Sequence, residues 1–94
     1  MVSTTTVNGK HSKHDVMLYA LSTCIWCKKT KKLLDTMDVK YDFIWVDQLA
    51  GQDEDDVMKQ VKKHNPDCTV PTMVIDGKTC IVGFKEPEIK KALS

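Results

Sequence analysis

Two cysteines three residues apart, Cys24 and Cys27, are the side chains of this sequence best suited to chemistry. The thiolate form of cysteine is the nucleophile, and two thiols on one helical turn can close a disulfide with little backbone movement. The pair can therefore alternate between a dithiol and a disulfide. In a cytosolic βαβ context, this spacing indicates a redox motif first and half of a metal site second.

The segments on either side of the pair predict a strand followed by a helix. Residues 15–22 form a nearly continuous apolar run, typical of a central strand covered on both faces. Apolar residues at helical spacing predict a helix from residue 24 or 25 to residue 37. The first N–H groups of a helix lack intrahelical partners and carry partial positive charge, which stabilises a thiolate. We therefore predict Cys24 as the exposed nucleophile and Cys27 as the thiol that resolves the mixed disulfide.

The rest of the chain predicts one α/β domain with the order β-α-β-α-β-β-α. This order gives a four-stranded mixed sheet flanked by three helices. Further strands are predicted at residues 41–47, 72–75 and 79–82, and further helices at 53–64 and from 86 onward. Asp76 and Gly77 predict a two-residue hairpin between the last two strands. Residues 1–14 are polar and are predicted to be a flexible extension, which leaves 15–94 as the redox domain.

Composition narrows the classes of function. The 94 residues carry a net charge of +1, so no overall field indicates a nucleic-acid partner. No apolar run approaches the roughly 18–20 residues of a membrane span. The polar N-terminus does not resemble a secretory signal, and a cytoplasmic location is expected. The lysines between positions 28 and 32 are interpreted either as a solvated helix face or as a steering surface for an acidic redox partner.

Three motifs together resemble a known family. They are Cys24-Ile25-Trp26-Cys27 after the first strand, Thr69-Val70-Pro71 before the third, and Gly83 after the hairpin. With the element order, they resemble the thioredoxin fold in its compact glutaredoxin form, over residues 15–94. The resemblance implies a protein-disulfide reductase, a dithiol electron carrier whose only redox group is the reversible Cys24–Cys27 disulfide.

The same resemblance implies how the substrate is held. The Val70–Pro71 bond is expected to be cis and to face the cysteines, and Val70 would offer its backbone N–H and C=O to an extended segment. A trans proline at the start of a strand is the alternative from the residues alone. The residues expected to contact substrate are Trp26, Thr69, Val70, Pro71, Gly83 and Phe84. The alternative for Trp26 is a partly covered surface aromatic, and the alternative for Phe84 is a residue of the core.

Two departures from the usual dithiol glutaredoxin pattern indicate a branch of the family. Leu21 stands where that pattern has a lysine that binds the glutathione carboxylate, and residues 82–86 read Val-Gly-Phe-Lys-Glu in place of a Gly-Gly pair with a hydroxyl and an acid. Both disfavour glutathione as the bound thiol. The pattern is similar to glutaredoxin-like redoxins that serve ribonucleotide reductase. The partners implied are a thioredoxin-reductase-type reductase and protein disulfides, with ribonucleotide reductase among them, and a monomer is expected.

The sequence also fits three alternatives: a glutathione-dependent glutaredoxin, a zinc or iron–sulfur protein without enzymatic activity, and an interaction module with silent cysteines. A metal site would combine Cys24, Cys27 and Cys68 with a fourth ligand, and the candidates for it are Cys80, His64, His11 and His14. The second pair of ligands lacks the short spacing of zinc knuckles, so no metal is assigned. Cys80 is otherwise predicted to be a buried thiol on a strand.

Overall fold

Five strands form one mixed sheet in the computed structural model, which describes residues 4–67 and 69–93. The strands are β1 (Thr5–Val7), β2 (Val16–Ala20), β3 (Tyr41–Trp45), β4 (Thr72–Ile75) and β5 (Thr79–Val82). The helices are α1 (Ile25–Thr36), α2 (Gln52–His64) and α3 (Glu86–Leu93). The strands lie side by side in the order β1-β3-β2-β4-β5. Strands β2 and β3 are parallel, whereas every other neighbouring pair is antiparallel.

Strand β2 is the centre of the sheet because it buries side chains on both faces. Leu18 and Ala20 are fully buried in the cluster that also contains apolar residues of α1 and α3. Tyr19 points to the opposite face, where it packs with Val57 and Val61 of α2. The predicted central strand is confirmed, and it ends directly before the loop that carries the cysteine pair.

The hairpin between β4 and β5 lies where Asp76 and Gly77 predicted it. Both residues have positive φ, 55° and 71°, as the two central residues of a type I′ turn require. The backbone N–H of Lys78 donates to the carbonyl of Ile75 at 3.2 Å and closes the turn. Ile75 pairs with Thr79, so the connection has one residue more than the two-residue hairpin expected.

The sequence prediction missed the first strand, so the predicted count of four strands was wrong by one. Strand β1 lies in the segment 1–14 that was expected to be flexible, and it pairs antiparallel with β3. The hydroxyl of Thr6 donates to the carboxylate of Asp42 at 2.5 Å. Further along, the N–H of His11 donates to the carbonyl of Asp38 at 3.0 Å. Residues 5–11 carry no apolar alternation, so the sequence gives no strand signal there. The edge strand is held by backbone pairing with β3.

The second predicted strand, 41–47, is also shorter than expected. Strand β3 ends at Trp45, and a single 3₁₀ turn, Val46–Gln48, follows it. Asp47 therefore lies on a tight turn beyond the end of the strand. No helix in the described part of the chain is long and apolar enough to cross a membrane.

Candidate active site

Cys24 is the N-cap residue of α1, as the sequence predicted. Its backbone is extended, with φ −88° and ψ 120°, and the helix begins at the next residue. The Sγ of Cys24 accepts a hydrogen bond from the backbone N–H of Cys27 at 3.3 Å. A sulfur thus occupies the position in which Ser, Thr or Asp commonly satisfies the free N–H groups of a helix.

These contacts favour the thiolate form of Cys24. Burial acts to raise the pKa of this thiol. Hydrogen bonds from the Cys27 thiol and from the backbone N–H groups of Cys27 and Trp26 outweigh burial, so the pKa of Cys24 is lowered from its ordinary value. Cys24 remains partly accessible. A partly exposed thiol with a lowered pKa has the properties of a nucleophilic cysteine.

Cys27 has the opposite environment. Its side chain is fully buried, and its Sγ lies 3.5 Å from the backbone N–H of Leu21, which donates to it. Burial is the largest cause that raises the pKa of Cys27 to about 12, followed by the hydrogen bond to Cys24 and the charges of Cys24 and Asp47. One thiol of the pair is therefore favoured as the anion and the other as the protonated form.

A groove of about 300 Å³ contains five of the six residues that the sequence associated with substrate. It is lined by Trp26, Val70, Pro71, Gly83 and Phe84. The Val70–Pro71 bond is cis, as expected, and the backbone N–H of Gly83 donates to the carbonyl of Pro71 at 2.8 Å. Gly83 has a φ of 85°, a conformation that strongly favours glycine. The helix that carries the cysteines contributes Trp26 to this groove, so groove and thiol pair share one element.

Trp26 and Phe84 form an aromatic wall of the groove. Their rings stack with centroids 6.2 Å apart and planes inclined by 25°. Trp26 is 54% exposed, and the Nζ of Lys29 lies 4.6 Å from the centre of its ring. Phe84 also packs against the core cluster under α1 and α3, so it combines the two roles that the sequence left open.

Thr69 is the predicted substrate residue that does not line the groove. Its carbonyl and its Oγ1 accept hydrogen bonds from the buried amide of Asn65, at 3.1 Å and 3.0 Å. The same amide contacts Oγ1 of Thr72, whose hydroxyl donates to the Thr69 carbonyl at 2.6 Å. Thr69 thus belongs to a hydrogen-bond network that braces the loop before the cis bond. Sequence reasoning missed Asn65, since an Asn before a Pro reads only as the end of a helix.

Asp47 is a second residue that the sequence did not single out. Its carboxylate accepts from the backbone N–H of Ser22 at 2.8 Å and from the Ser22 hydroxyl at 2.5 Å. These bonds with Ser22 lower the pKa of Asp47, which keeps the carboxylate ionised. Ser22 lies in the turn before Cys24, so Asp47 ties the end of β3 to the loop that carries the cysteines.

Cys80 is not brought to this site. It lies partly buried on β5, and burial raises its pKa. It lines a separate cavity of about 490 Å³ between β5 and α3, together with His14, Ile81 and Ala92 among others. Within residues 4–67 and 69–93, no group of three or more His, Cys, Asp or Glu side chains is placed to hold a metal ion. Cys68, a ligand in the metal alternative, lies outside the described residues.

Comparison with known sequences identifies the family of this chain. The sequence profile of the Glutaredoxin family matches residues 16–80. The chain is 36% identical over 78 residues to an uncharacterised glutaredoxin-like 8.6 kDa protein of the rubredoxin operon of Clostridium pasteurianum, covering 83% of this chain and 96% of that protein. It is also 36% identical over 69 residues to glutaredoxin 1 of Rickettsia prowazekii, covering 73% of this chain and 70% of the relative.

Solved structures that superpose on this chain include glutaredoxins, in agreement with the sequence comparison. The glutaredoxin of Methanosarcina mazei Go1 superposes with a TM-score of 0.89 at 43% identity, over 97% of this chain and 87% of that one. Methanoredoxin of Methanosarcina acetivorans gives 0.83 at 42% identity, over 85% and 84% of the two chains. A buckwheat glutaredoxin in complex with glutathione gives 0.65 at 26% identity, over 86% and 71%. The predicted thioredoxin fold is confirmed, with one strand more than expected.

Proposed function

This chain belongs to the glutaredoxin family and is a thiol–disulfide oxidoreductase, and from that premise we propose that it passes electrons from a reductase to protein disulfides through Cys24 and Cys27. Cys24 is the nucleophile in this proposal, and Cys27 is the resolving thiol. The observation that supports these roles most is the placement of the two sulfurs, since Cys24 is a partly exposed N-cap residue and Cys27 is fully buried. The groove beside the pair is the place proposed for the substrate segment.

The first step is attack by the Cys24 thiolate on one sulfur of the substrate disulfide. A new S–S bond joins Cys24 to the substrate, and the second substrate sulfur leaves as a thiolate that takes up a proton. The N–H groups of Trp26 and Cys27 hold the anionic sulfur before attack, because both lower its pKa. An extended substrate segment would lie along Val70, as an added strand whose side chains enter the groove.

The second step is attack by Cys27 on Cys24, which releases the reduced substrate and leaves the Cys24–Cys27 disulfide. Cys27 must first lose its proton. The hydrogen bond to Cys24 and the charge of Cys24 both raise the pKa of Cys27, after burial. Both contributions vanish once Cys24 is in the mixed disulfide, while the bond from the Leu21 N–H that lowers this pKa remains. Formation of the mixed disulfide therefore activates the resolving thiol.

A reductase of the thioredoxin-reductase type is the proposed electron donor. Leu21 stands at the position from which a lysine would bind a glutathione carboxylate, and its side chain packs against the apolar cluster under α2. An apolar side chain cannot pair with a carboxylate. Glutathione is the second candidate, because a neighbour of the same fold is described in complex with it. Ribonucleotide reductase is a proposed client, and the reducing cytoplasm, with the protein as a monomer, is the proposed setting.

The roles of the two cysteines are tested with Cys24→Ser and Cys27→Ser. The first variant is expected to lose reduction of a protein disulfide by more than about a hundredfold, because it lacks the nucleophile. The second is expected to accumulate mixed disulfides, visible by non-reducing electrophoresis and mass spectrometry. Cys80→Ser is the matched control and should keep full activity. Disulfide reduction by Cys24→Ser at the wild-type rate would refute the assignment.

The donor is tested by two coupled assays on the same wild-type preparation. One couples turnover to NADPH through thioredoxin reductase, and the other through glutathione and glutathione reductase. We expect turnover in the thioredoxin-reductase assay and little turnover in the glutathione assay. Turnover with glutathione alone would replace the proposed donor by the second candidate and leave the roles of the cysteines intact.

A further inference from the structure

The distribution of charge along α1 opposes what the stability of a helix favours. Anionic side chains stabilise the first turn of a helix and cations the last. Helix α2 begins with Asp53, Glu54 and Asp55, and α3 carries Glu86 and Glu88 in its first turn. Helix α1 has no acid in its first turn and no basic residue in its last. Its four lysines, at positions 28, 29, 31 and 32, lie instead in the middle of the helix, so the helix dipole does not account for their placement.

Three exposed lysines, Lys28, Lys29 and Lys85, lie on the segments that carry the nucleophile and the groove residues. The N–H of Lys28 donates to the carbonyl of Cys24 at 3.1 Å, and residues four apart lie on the same side of a helix. The Nζ of Lys29 lies over the ring of Trp26, and Lys85 directly follows Phe84, which lines the groove. Lys31, by contrast, is paired with Asp35 at 3.3 Å.

Within residues 4–67 and 69–93, none of these three lysines is paired with a carboxylate. Glu86 pairs with Lys90 at 3.3 Å, and the carboxylate of Asp47 is held by Ser22. None of the five residues that line the groove carries a charge. The first turn of α1 also exposes apolar side chains, because Ile25 is 62% exposed and Trp26 is 54% exposed. The groove and the first turn of α1 are therefore apolar, and exposed lysines lie on the segments that carry them.

We propose that the preferred clients are acidic protein segments, in which carboxylates flank the attacked cysteine and an apolar side chain enters the groove. This inference rests on the proposed function and adds the class of substrate. Carboxylates next to the disulfide would lie against Lys28 and Lys85, and the apolar side chain would pack against Trp26 and Phe84. Such complementarity speeds encounter and orients the segment, and salt screens it.

The test compares two disulfide peptides of equal length with the reduced wild-type protein, in single turnover. Aspartates flank the cysteines of one peptide, and lysines flank those of the other. Cys24 and Cys27 supply the two electrons and become a disulfide while the peptide becomes a dithiol, so no reductase is needed. The acidic peptide should react about tenfold faster at low ionic strength, and the ratio should approach one as salt is added.

Charge reversal locates the effect. In Lys28→Glu/Lys85→Glu the preference for the acidic peptide should vanish or invert. Lys59→Glu/Lys62→Glu changes the net charge equally on α2, which covers the opposite face of the sheet, and should keep the wild-type ratio. Because each variant is judged by the ratio of two peptides, a general change in Cys24 reactivity cancels. Each variant's melting temperature verifies that it is folded.

The remaining outcomes contradict one proposal or both. Equal rates for the two peptides in wild type would overturn the acidic preference and leave the redox function intact. Failure to reduce either peptide would overturn the proposed function and this inference with it. Retention of a single-stranded DNA oligonucleotide through Lys28 and Lys85, with equal peptide rates, would assign the lysines to nucleic acid and also overturn the proposal.

Discussion

The backbone N–H of Cys27 donates a hydrogen bond to the Sγ of Cys24 across 3.3 Å. The residue that resolves the mixed disulfide in our proposal is thus also a residue that lowers the pKa of the nucleophile. Cys27 acts on Cys24 through both its backbone N–H and its thiol, whereas Cys24 acts to raise the pKa of Cys27. The two sulfurs therefore set each other's protonation state, and changing one must shift the other.

Removal of the Cys27 thiol should raise the pKa of Cys24. In Cys27→Ala the side-chain hydrogen bond is lost while the backbone bond remains. A hydrogen bond to a charged group contributes about 1.5–3 kcal/mol, so the expected rise is about one to two pKa units. The ultraviolet absorbance of the thiolate, followed as pH is raised, gives the value. Cys27→Ser keeps a donor and should shift the pKa less. A Cys24 pKa in Cys27→Ala equal to the wild-type value would mean that the thiol hydrogen bond has no role.

Asp47→Asn should lower the pKa of Cys27. The charge of Asp47 is one of the causes that raise this pKa, so a neutral amide makes the Cys27 thiolate less unfavourable. The shift is measured by alkylation of Cys27 against pH in a Cys24→Ser background. Asp42→Asn removes a carboxylate from β3, where it accepts from Thr6, and should leave Cys27 unchanged. An unaltered alkylation profile in Asp47→Asn would contradict this electrostatic role.

Asn65→Ala should destabilise the protein by about 1–3 kcal/mol, since buried acceptors lose their donor. The Asn65 amide contacts two oxygens of Thr69 and the hydroxyl of Thr72. Urea denaturation of the reduced protein measures the free energy of unfolding. The matched control is Asn8→Ala at an exposed position, which should change stability by less than about 0.5 kcal/mol. A loss no larger than in the control would show that the network does not stabilise the loop.

Asp76 should make stability depend on pH in the acidic range. A hydrogen bond from His14 is the largest cause that lowers the pKa of Asp76, followed by the bond from the Asp15 N–H. A carboxylate with a lowered folded pKa stabilises the protein above its unfolded pKa of about 3.9, and this contribution is lost as pH falls through the folded value.

Thermal melting of Asp76→Asn against wild type measures this contribution. Asn tolerates the positive φ at this position, so the substitution removes the charge and one acceptor oxygen without backbone strain. Wild type should melt higher at neutral pH, and the difference should disappear in strong acid. A difference that persists unchanged down to strong acid would contradict the linkage.

The parts of the fold that sequence predicted well carry local signals. An unbroken apolar run predicts the central strand β2. Asp76 and Gly77, which adopt positive φ, predict the β4–β5 hairpin. The position of Cys24 at the start of α1 was predicted in the same way, because an apolar strand and an amphipathic helix flank it in the sequence. The cis bond before Pro71 was expected from family resemblance, because the residues alone equally fit a trans proline.

The features that sequence missed depend on partners far along the chain. Strand β1 is defined by its pairing with β3, and its polar residues show no periodicity. Asp47 reaches back 25 positions to Ser22, and nothing next to Asp47 indicates that contact. Thr69 was assigned to substrate by resemblance, yet the structure places its polar atoms in a network with Asn65. These contacts can be identified only from the tertiary structure.

Direct titration of the two active-site thiols tests the central claim. Reduced protein carrying Cys68→Ser and Cys80→Ser, so that only the pair remains, is alkylated across a range of pH, and mass spectrometry follows each cysteine. We predict that Cys24 titrates below the value of about 8.5 for free cysteine, while Cys27 titrates well above it. Two thiols that titrate together near the value for free cysteine would contradict it.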